Sequence, residues 1–285
     1  MTVTNPRGAR VAIMPTAAGR CRVELTNGIL APRLLGQSAA GARIALVPTT
    51  ATLLGGDDVR LDIEVGRGMR LEVIEVAGTV AYNGRGLRAR FTIHASVAQG
   101  ATLLWFGEPL VVSDGADVER VLRLDVAEEA RALVRDQVTL GRVGEHGGSL
   151  VCDTVVTYAA QPALVERLDL QAPAEAIDPE SSVPSRGRRV TAAQVLRESP
   201  GMLGGARTID SITAIGWRPD VEGRVDGGPA VAPGPSGDGV AYATFALAVP
   251  GALARHLVDE AHRSVIPAVW GHWAGRLEAS TGAPR

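Results

Sequence analysis

The chain has 285 residues, 46% of them apolar, with a formal net charge of −2 and a pI near 6.2, which is enough apolar material for a sizeable core and leaves no basic footprint for nucleic acid or an anionic membrane. All 29 residues in the Lys plus Arg count are arginine, which excludes Schiff-base lysine chemistry and a P-loop lysine. The two cysteines, Cys21 and Cys152, form no CxxC pair and read as buried or inert thiols, while residues 1–15 lack a signal-peptide pattern and no stretch approaches the ~20 apolar residues of a membrane span; a soluble cytoplasmic protein of one domain, residues 1–285, is expected.

Along the chain, residues 43–47, 59–65, 69–76, 88–97, 101–106, 119–126 and 150–157 read as short strands between glycines. Leu61, Ile63 and Val65 fall on one face and Asp62 and Glu64 on the other, as a half-buried strand requires. A weak repeat links them: Val65-Gly-Arg-Gly-Met69, Val97-Ala-Gln-Gly-Ala101 and Val126-Ala-Glu-Glu-Ala130 each end one strand and begin another, with the valines 32 and 29 residues apart. Such a period predicts coils that bury their apolar faces against one another. Leu61, Ile63, Leu71, Val73, Leu103 and Leu124 are the expected core. Residues 172–189 and 219–239 are rich in Pro, Ser, Gly and charge, and the second is expected to be a flexible loop between strands at 208–217 and 241–249. Leu253, Leu257, Ala261, Val265, Val269, Trp273 and Leu277 recur every fourth residue and predict helix over about 251–280, broken by Pro267. The expected fold is mainly β: an irregular β-solenoid-like or layered β scaffold with two short C-terminal α-helices, a plain antiparallel sandwich being the competitor.

Two turn-like stretches hold the densest polar signals. In residues 47–58 a turn at Pro48 leads to Gly55-Gly56 and then to Asp57-Asp58, which reads either as a turn ending in solvated acids or as hard oxygen ligands for a divalent cation. Residues 140–148 combine Gly141 with Arg142, Glu145 and His146, a polar surface turn or a clamp for a carboxylate or metal. His256, Asp259 and His262, three apart on the predicted helix, cannot face one ion. His94 and His272 read as packed or surface residues, and Ser113-Asp114 lacks a nucleophile elbow.

Pro48-Thr-Thr with Leu54-Gly-Gly-Asp57, the turn Val65-Gly-Arg-Gly-Met-Arg-Leu71, Gly78-Thr-Val-Ala-Tyr82, Gly100-Ala-Thr-Leu-Leu-Trp105 with Glu108-Pro109, Gly115-Ala116, and Leu140-Gly-Arg142 with Gly144-Glu145 follow one another in a specific order. Through them residues 41–148 resemble the urease accessory protein family called UreD, or UreH. The resemblance implies a β scaffold with C-terminal helices and no catalytic activity or permanently bound cofactor. It also implies assembly with the helical accessory protein UreF and the GTPase UreG on the urease apoenzyme, and transient passage of nickel toward the urease active site. On the same ground Pro48, Gly55, Gly56, Gly141 and Arg142 are expected to shape the motif turns, and Asp57, Glu108 and Glu145 to lie on the nickel path. Trp270 and Trp273 are expected either to pack on the sheet or to form a partner-binding surface. Residues 74–82, which lack the family's lysine, and Phe106-Gly-Glu-Pro109 depart from the common pattern. The alternatives are a β-solenoid carbohydrate-active enzyme using paired carboxylates, with Asp57, Glu108 and Asp114 as its acids, and a passive β-rich binding module.

Overall fold

Alternation of apolar and polar residues makes strands with one buried side, and the computed structural model of the chain shows those sides facing each other across one interior. It describes residues 8–50, 53–172, 197, 199, 202–219, 230–232 and 242–281. One sheet has the order β14 (Gln161–Leu170), β13 (Ser149–Tyr158), β11 (Asp117–Val126), β8 (Ala89–Val97), β5 (Asp58–Val65), β1 (Gly8–Pro15) and β2 (Cys21–Thr26). The other runs β16 (Ala230–Ala232), β17 (Tyr242–Ala246), β18 (Gly251–Val258), β15 (Thr208–Ile215), β12 (Arg131–Leu140), β9 (Thr102–Phe106), β6 (Arg70–Glu75), β4 (Gly41–Pro48) and β3 (Leu30–Gln37). Two short strands, β7 (Thr79–Ala81) and β10 (Leu110–Val112), join the second sheet beside β12.

The middle of the chain winds between the sheets. β5 turns at 66–69 into β6, bends into β7 and returns through residues 82–88 to β8, and the next coil repeats the route through β9 and β10 to β11. Ladders between successive coils are parallel, and Val65 pairs with Val97, which pairs with Val126. The three valine turns therefore stack in neighbouring coils, as their spacing predicts. Antiparallel hairpins flank the coils: β1 with β2, β3 with β4, and β13 with β14. The interior contains Leu61, Ile63, Leu71, Val73, Leu103 and Leu124, all buried.

The carboxyl-terminal expectation needs correction. Residues 251–258 form β18, paired antiparallel with β15, and a single helix, α1 (Ile266–Thr281), follows a short 3-10 turn at Ala261–Arg263. Residues four apart share a face on a strand as well as on a helix, so the period alone could not separate them. Pro267 takes the second position of α1, where its missing N–H costs no helical bond, so it opens one helix instead of dividing two. This helix lies on the outer face of the second sheet, where Ile266, Val269, Trp273 and Leu277 close over Leu104, Leu133, Ile212 and Ala254. The predicted strands at 208–217 and 241–249 correspond to β15 and β17. Of the predicted loop 219–239, Ala230–Ala232 forms β16 against β17; the rest beyond Pro219, like nearly all of 172–189, lies outside the described residues. No helix among the described residues is long and apolar enough to cross a membrane.

Candidate functional site

Charged residues stand in the interior where the alternation calls for apolar ones. On β11 the inward positions are Val118, Arg120, Leu122, Leu124 and Val126, and on β12 they are Val134, Asp136 and Val138. Arg120 donates to both carboxylate oxygens of Asp136, clasping the two sheets together. Its Nε–H is buried without a hydrogen-bond acceptor among the described residues, and its guanidinium sits 5.9 Å from the Phe91 ring centroid. Cys152 is the ladder partner of Arg120, and burial pushes its thiol up to about 12, so it stays protonated although Arg120 opposes the shift. Next to this clasp lies Glu75, whose carboxylate accepts the Trp105 indole N–H at 3.0 Å and the Glu108 amide N–H at 3.1 Å. Burial raises its pKa to about 7; the Glu108 amide and the Arg120 charge pull against that, and Asp136 adds to it.

A second clasp lies further along the same interior. Asp136 pairs in the ladder with Ser211, and Ser211 with Arg255. Arg255 donates to Ser211 Oγ at 2.9 Å and to both carboxylate oxygens of Glu166 at 2.6 and 2.8 Å, again linking sheet to sheet. Asp136, Cys152, Thr154, Glu166, Ser211 and Arg255 line a cavity of about 40 Å³ with apolar walls. That volume holds water-sized occupants and not an organic substrate. The arrangement is a polar seam through an apolar interior, with carboxylates at Glu75, Asp136 and Glu166 separated by arginines.

A different network lies on the outer face of the second sheet. Arg135 donates to both oxygens of Asp210 at 3.0 and 2.9 Å, to the Gly107 carbonyl at 2.8 Å and to Gln137 Oε1 at 2.6 Å, with its guanidinium 4.5 Å from the Phe106 ring centroid. Every strong group there is matched, and it anchors the corner at 107–109. His256, expected on a helix, belongs to β18 and accepts the Val265 amide through Nδ1 at 3.3 Å. Burial lowers its pKa against the raising field of Asp210.

The residues expected from the family pattern occupy two places. The loops around residues 53–57, 82–88, 113–116 and 141–148 lie against each other on one edge. A Cβ at Gly55 would come within 2.6 Å of the Gly84 backbone, Gly84 N–H donates to the Gly115 carbonyl, and Asp114 Oδ1 accepts the amides of His146 and Gly147. Asp57 is buried in this edge, accepting the Leu54 amide at 2.8 Å, and Gly56 has φ +83°. Glu145 accepts Arg142 and Asp114 amides and the Arg142 guanidinium, which holds its carboxyl below the usual range. Gly141 has φ +76°, and a Cβ there would meet Gly147 N at 2.7 Å. Pro48 ends β4 opposite Leu30. Asp57 and Glu145 thus share the loop edge, whereas Glu108 lies at the corner beside Glu75. Sequence reasoning missed Glu75, Arg120, Asp136 and Glu166; their signal was a charge at an inward, apolar position of a strand. Trp273 is buried under α1 and offers no docking surface, and Trp270 stacks edge-on against Phe106 with ring centroids 5.3 Å apart.

A family model described as UreD urease accessory protein matches residues 29–285. The urease accessory protein UreD 1 of Streptomyces griseus subsp. griseus is 40% identical over 267 residues, covering 92% of this chain and 90% of that protein. The urease accessory protein UreD of Frankia alni is 38% identical over 254 residues, 82% of this chain and 78% of its own length. For urease accessory protein UreD 1 of Saccharopolyspora erythraea the values are 36% over 194 residues, 67% and 68%.

Proposed function

The chain belongs to the UreD family of urease accessory proteins, with a role in urease maturation, and from that premise we propose that it is a cytoplasmic, non-catalytic scaffold that passes nickel to the urease apoenzyme. It would do so in an assembly with the helical accessory protein UreF and the GTPase UreG. The observation that carries this reading is the interior seam of Glu75, Arg120, Asp136, Cys152, Glu166 and Arg255. A core needs no ionisable groups for stability, and each buried charge carries a desolvation cost, so such a row signals a use beyond packing.

Oxygen donors suit a divalent cation in transit, because a path must bind well enough to load and loosely enough to release. Carboxylates clasped by arginine are occupied until a competing cation arrives, which gives the dispersed, weak character that transit requires. Among the described residues no cluster of three or more His, Cys, Asp or Glu is placed to hold a metal ion. On this reading Glu108 stands beside the seam at Glu75, while Asp57 and Glu145 shape the loop edge that borders it.

The test is nickel-dependent urease activation in a reconstituted mixture with bicarbonate and all accessory proteins. Glu75→Gln, which keeps an acceptor for the Trp105 indole, is expected to lower activation several-fold while leaving complex assembly intact. The triple variant Asp57→Ala, Glu108→Ala, Glu145→Ala is expected to do the same. Full activation by both variants, with assembly confirmed, overturns the proposed path.

A further inference from the structure

The two sheets come to an edge together at the amino-terminal side: β2 is the last strand of the first and β3 the last of the second. An edge strand has its backbone donors and acceptors paired on one side only. Between these edges runs a groove lined by Cys21, Val23 and Leu25 of β2 and Leu34 and Gln37 of β3. Leu25, Leu34 and Leu35 are 36%, 46% and 55% exposed, a concentration of large apolar side chains at an unclosed end of the core. Leu35 falls where the β3–β4 ladder slips and pairs with no residue of β4. Gln37 reaches over the groove and donates to the Cys21 carbonyl at 2.6 Å. Pro32 has no N–H to give, which leaves 33–37 as the half of β3 able to accept a new strand.

The charge around this groove is opposite to that of the molecule as a whole. Residues 16–43 contain Arg20, Arg22, Arg33 and Arg43 against the single acid Glu24, while the full chain carries −2. Glu24 is shared between Arg10 and Arg22, Arg43 pairs with Glu72, and Arg33 donates to two neutral acceptors, the Asn27 side chain and the Pro32 carbonyl. A second copy presenting the same end would bring like charges together. An acidic segment would meet complementary ones.

We propose that the β2–β3 end docks an acidic, extended segment of a partner protein, its alternate apolar side chains entering the groove and its backbone pairing with β3 at 33–37 beside Arg20 and Arg33. This inference is independent of the nickel path, since it concerns the opposite property of the molecule, an unclosed end instead of a closed interior.

The probe is a blocked, fluorescein-labelled peptide, Glu-Val-Glu-Leu-Glu-Val-Glu, titrated into the full chain, with Lys-Val-Lys-Leu-Lys-Val-Lys as its control. The acidic peptide is expected to bind, to weaken as salt is raised, and to slow amide exchange in residues 20–26 and 33–37. The double variant Arg20→Glu, Arg33→Glu is expected to weaken binding by about tenfold or more, and Leu34→Ser to weaken it without altering charge. All three side chains are exposed, so both variants should melt with the parent protein. Failure of the acidic peptide to bind, equal binding of the two peptides, unchanged affinity in the double variant, or protection elsewhere overturns the proposal. So does a concentration-dependent dimer that protects the same amides, which would assign this end to a second copy.

Discussion

Burial makes the Glu75 carboxyl titrate near neutrality, and this links protein stability to pH. Its pKa rises from the ordinary 4.5 to about 7 on folding, so between those values the folded chain holds a proton that the unfolded chain has released. Stability is therefore complete below about pH 4.5, falls as pH rises through about 7, and levels off above, by up to about 3 kcal/mol for this group. Glu75→Gln is expected to flatten that decline; urea unfolding at pH 5 and pH 7.5 measures it, and an undiminished slope in the variant would assign the dependence elsewhere. The charge of Glu75 was not legible as a site in the sequence because Leu71, Val73 and Glu75 read as an apolar stripe ending at a polar strand terminus. Arg120 hid in the same way, since an Arg between Val118 and Leu122 blurs the register of its strand instead of announcing a function. The positive φ at Gly56 was legible, because a Gly pair after a Pro turn has few other purposes.

At the level of elements, alternation identified the coil strands β5, β6, β8 and β11 because each presents one buried face and one more exposed face. It failed at β12, whose residues are buried on both faces, with the apolar Leu133 on the outer face under α1 and the charged Asp136 on the inner one. Three-residue strands such as β7 and β10 are too short to show a period at all. The helix α1 owes its place to one apolar stripe, and Trp273 contributes the largest side chain in it. Trp273→Ala is expected to destabilise the protein by about 3–5 kcal/mol, read from the shift in urea midpoint, with fluorescence reporting release of Trp270 from Phe106. A loss below about 1 kcal/mol would mean that α1 is held chiefly by its ion pair between Arg70 and Glu278.

Across the whole molecule, the two sheets are joined by apolar packing and by two charge clasps, Arg120 with Asp136 and Arg255 with Glu166. Removing one member of a buried pair leaves its partner charged and unmatched, so Asp136→Ala is expected to cost about 3–5 kcal/mol, whereas Arg120→Leu with Asp136→Leu should be close to neutral. Equilibrium unfolding of the single and double variants checks this, and a double variant several kcal/mol less stable than the parent would show that the clasp is a net source of stability. The coil geometry has another consequence. From each valine turn to the matched position of the next short strand or its counterpart, Thr79, Leu110 and Val138, the chain takes 14, 13 and 12 residues, so the bend loses one residue per coil until β12 runs straight. The return from Ala81 to Ala89, from Val112 to Val118 and from Leu140 to Leu150 takes 8, 6 and 10 residues while the parallel ladders stay in step. The larger length changes, of two and four residues, are thus absorbed along the edge that carries Asp57, Asp114 and Glu145, while the bends take up one residue at a time. At that edge a coil can gain or lose residues without turning any side chain of the strands from inside to outside.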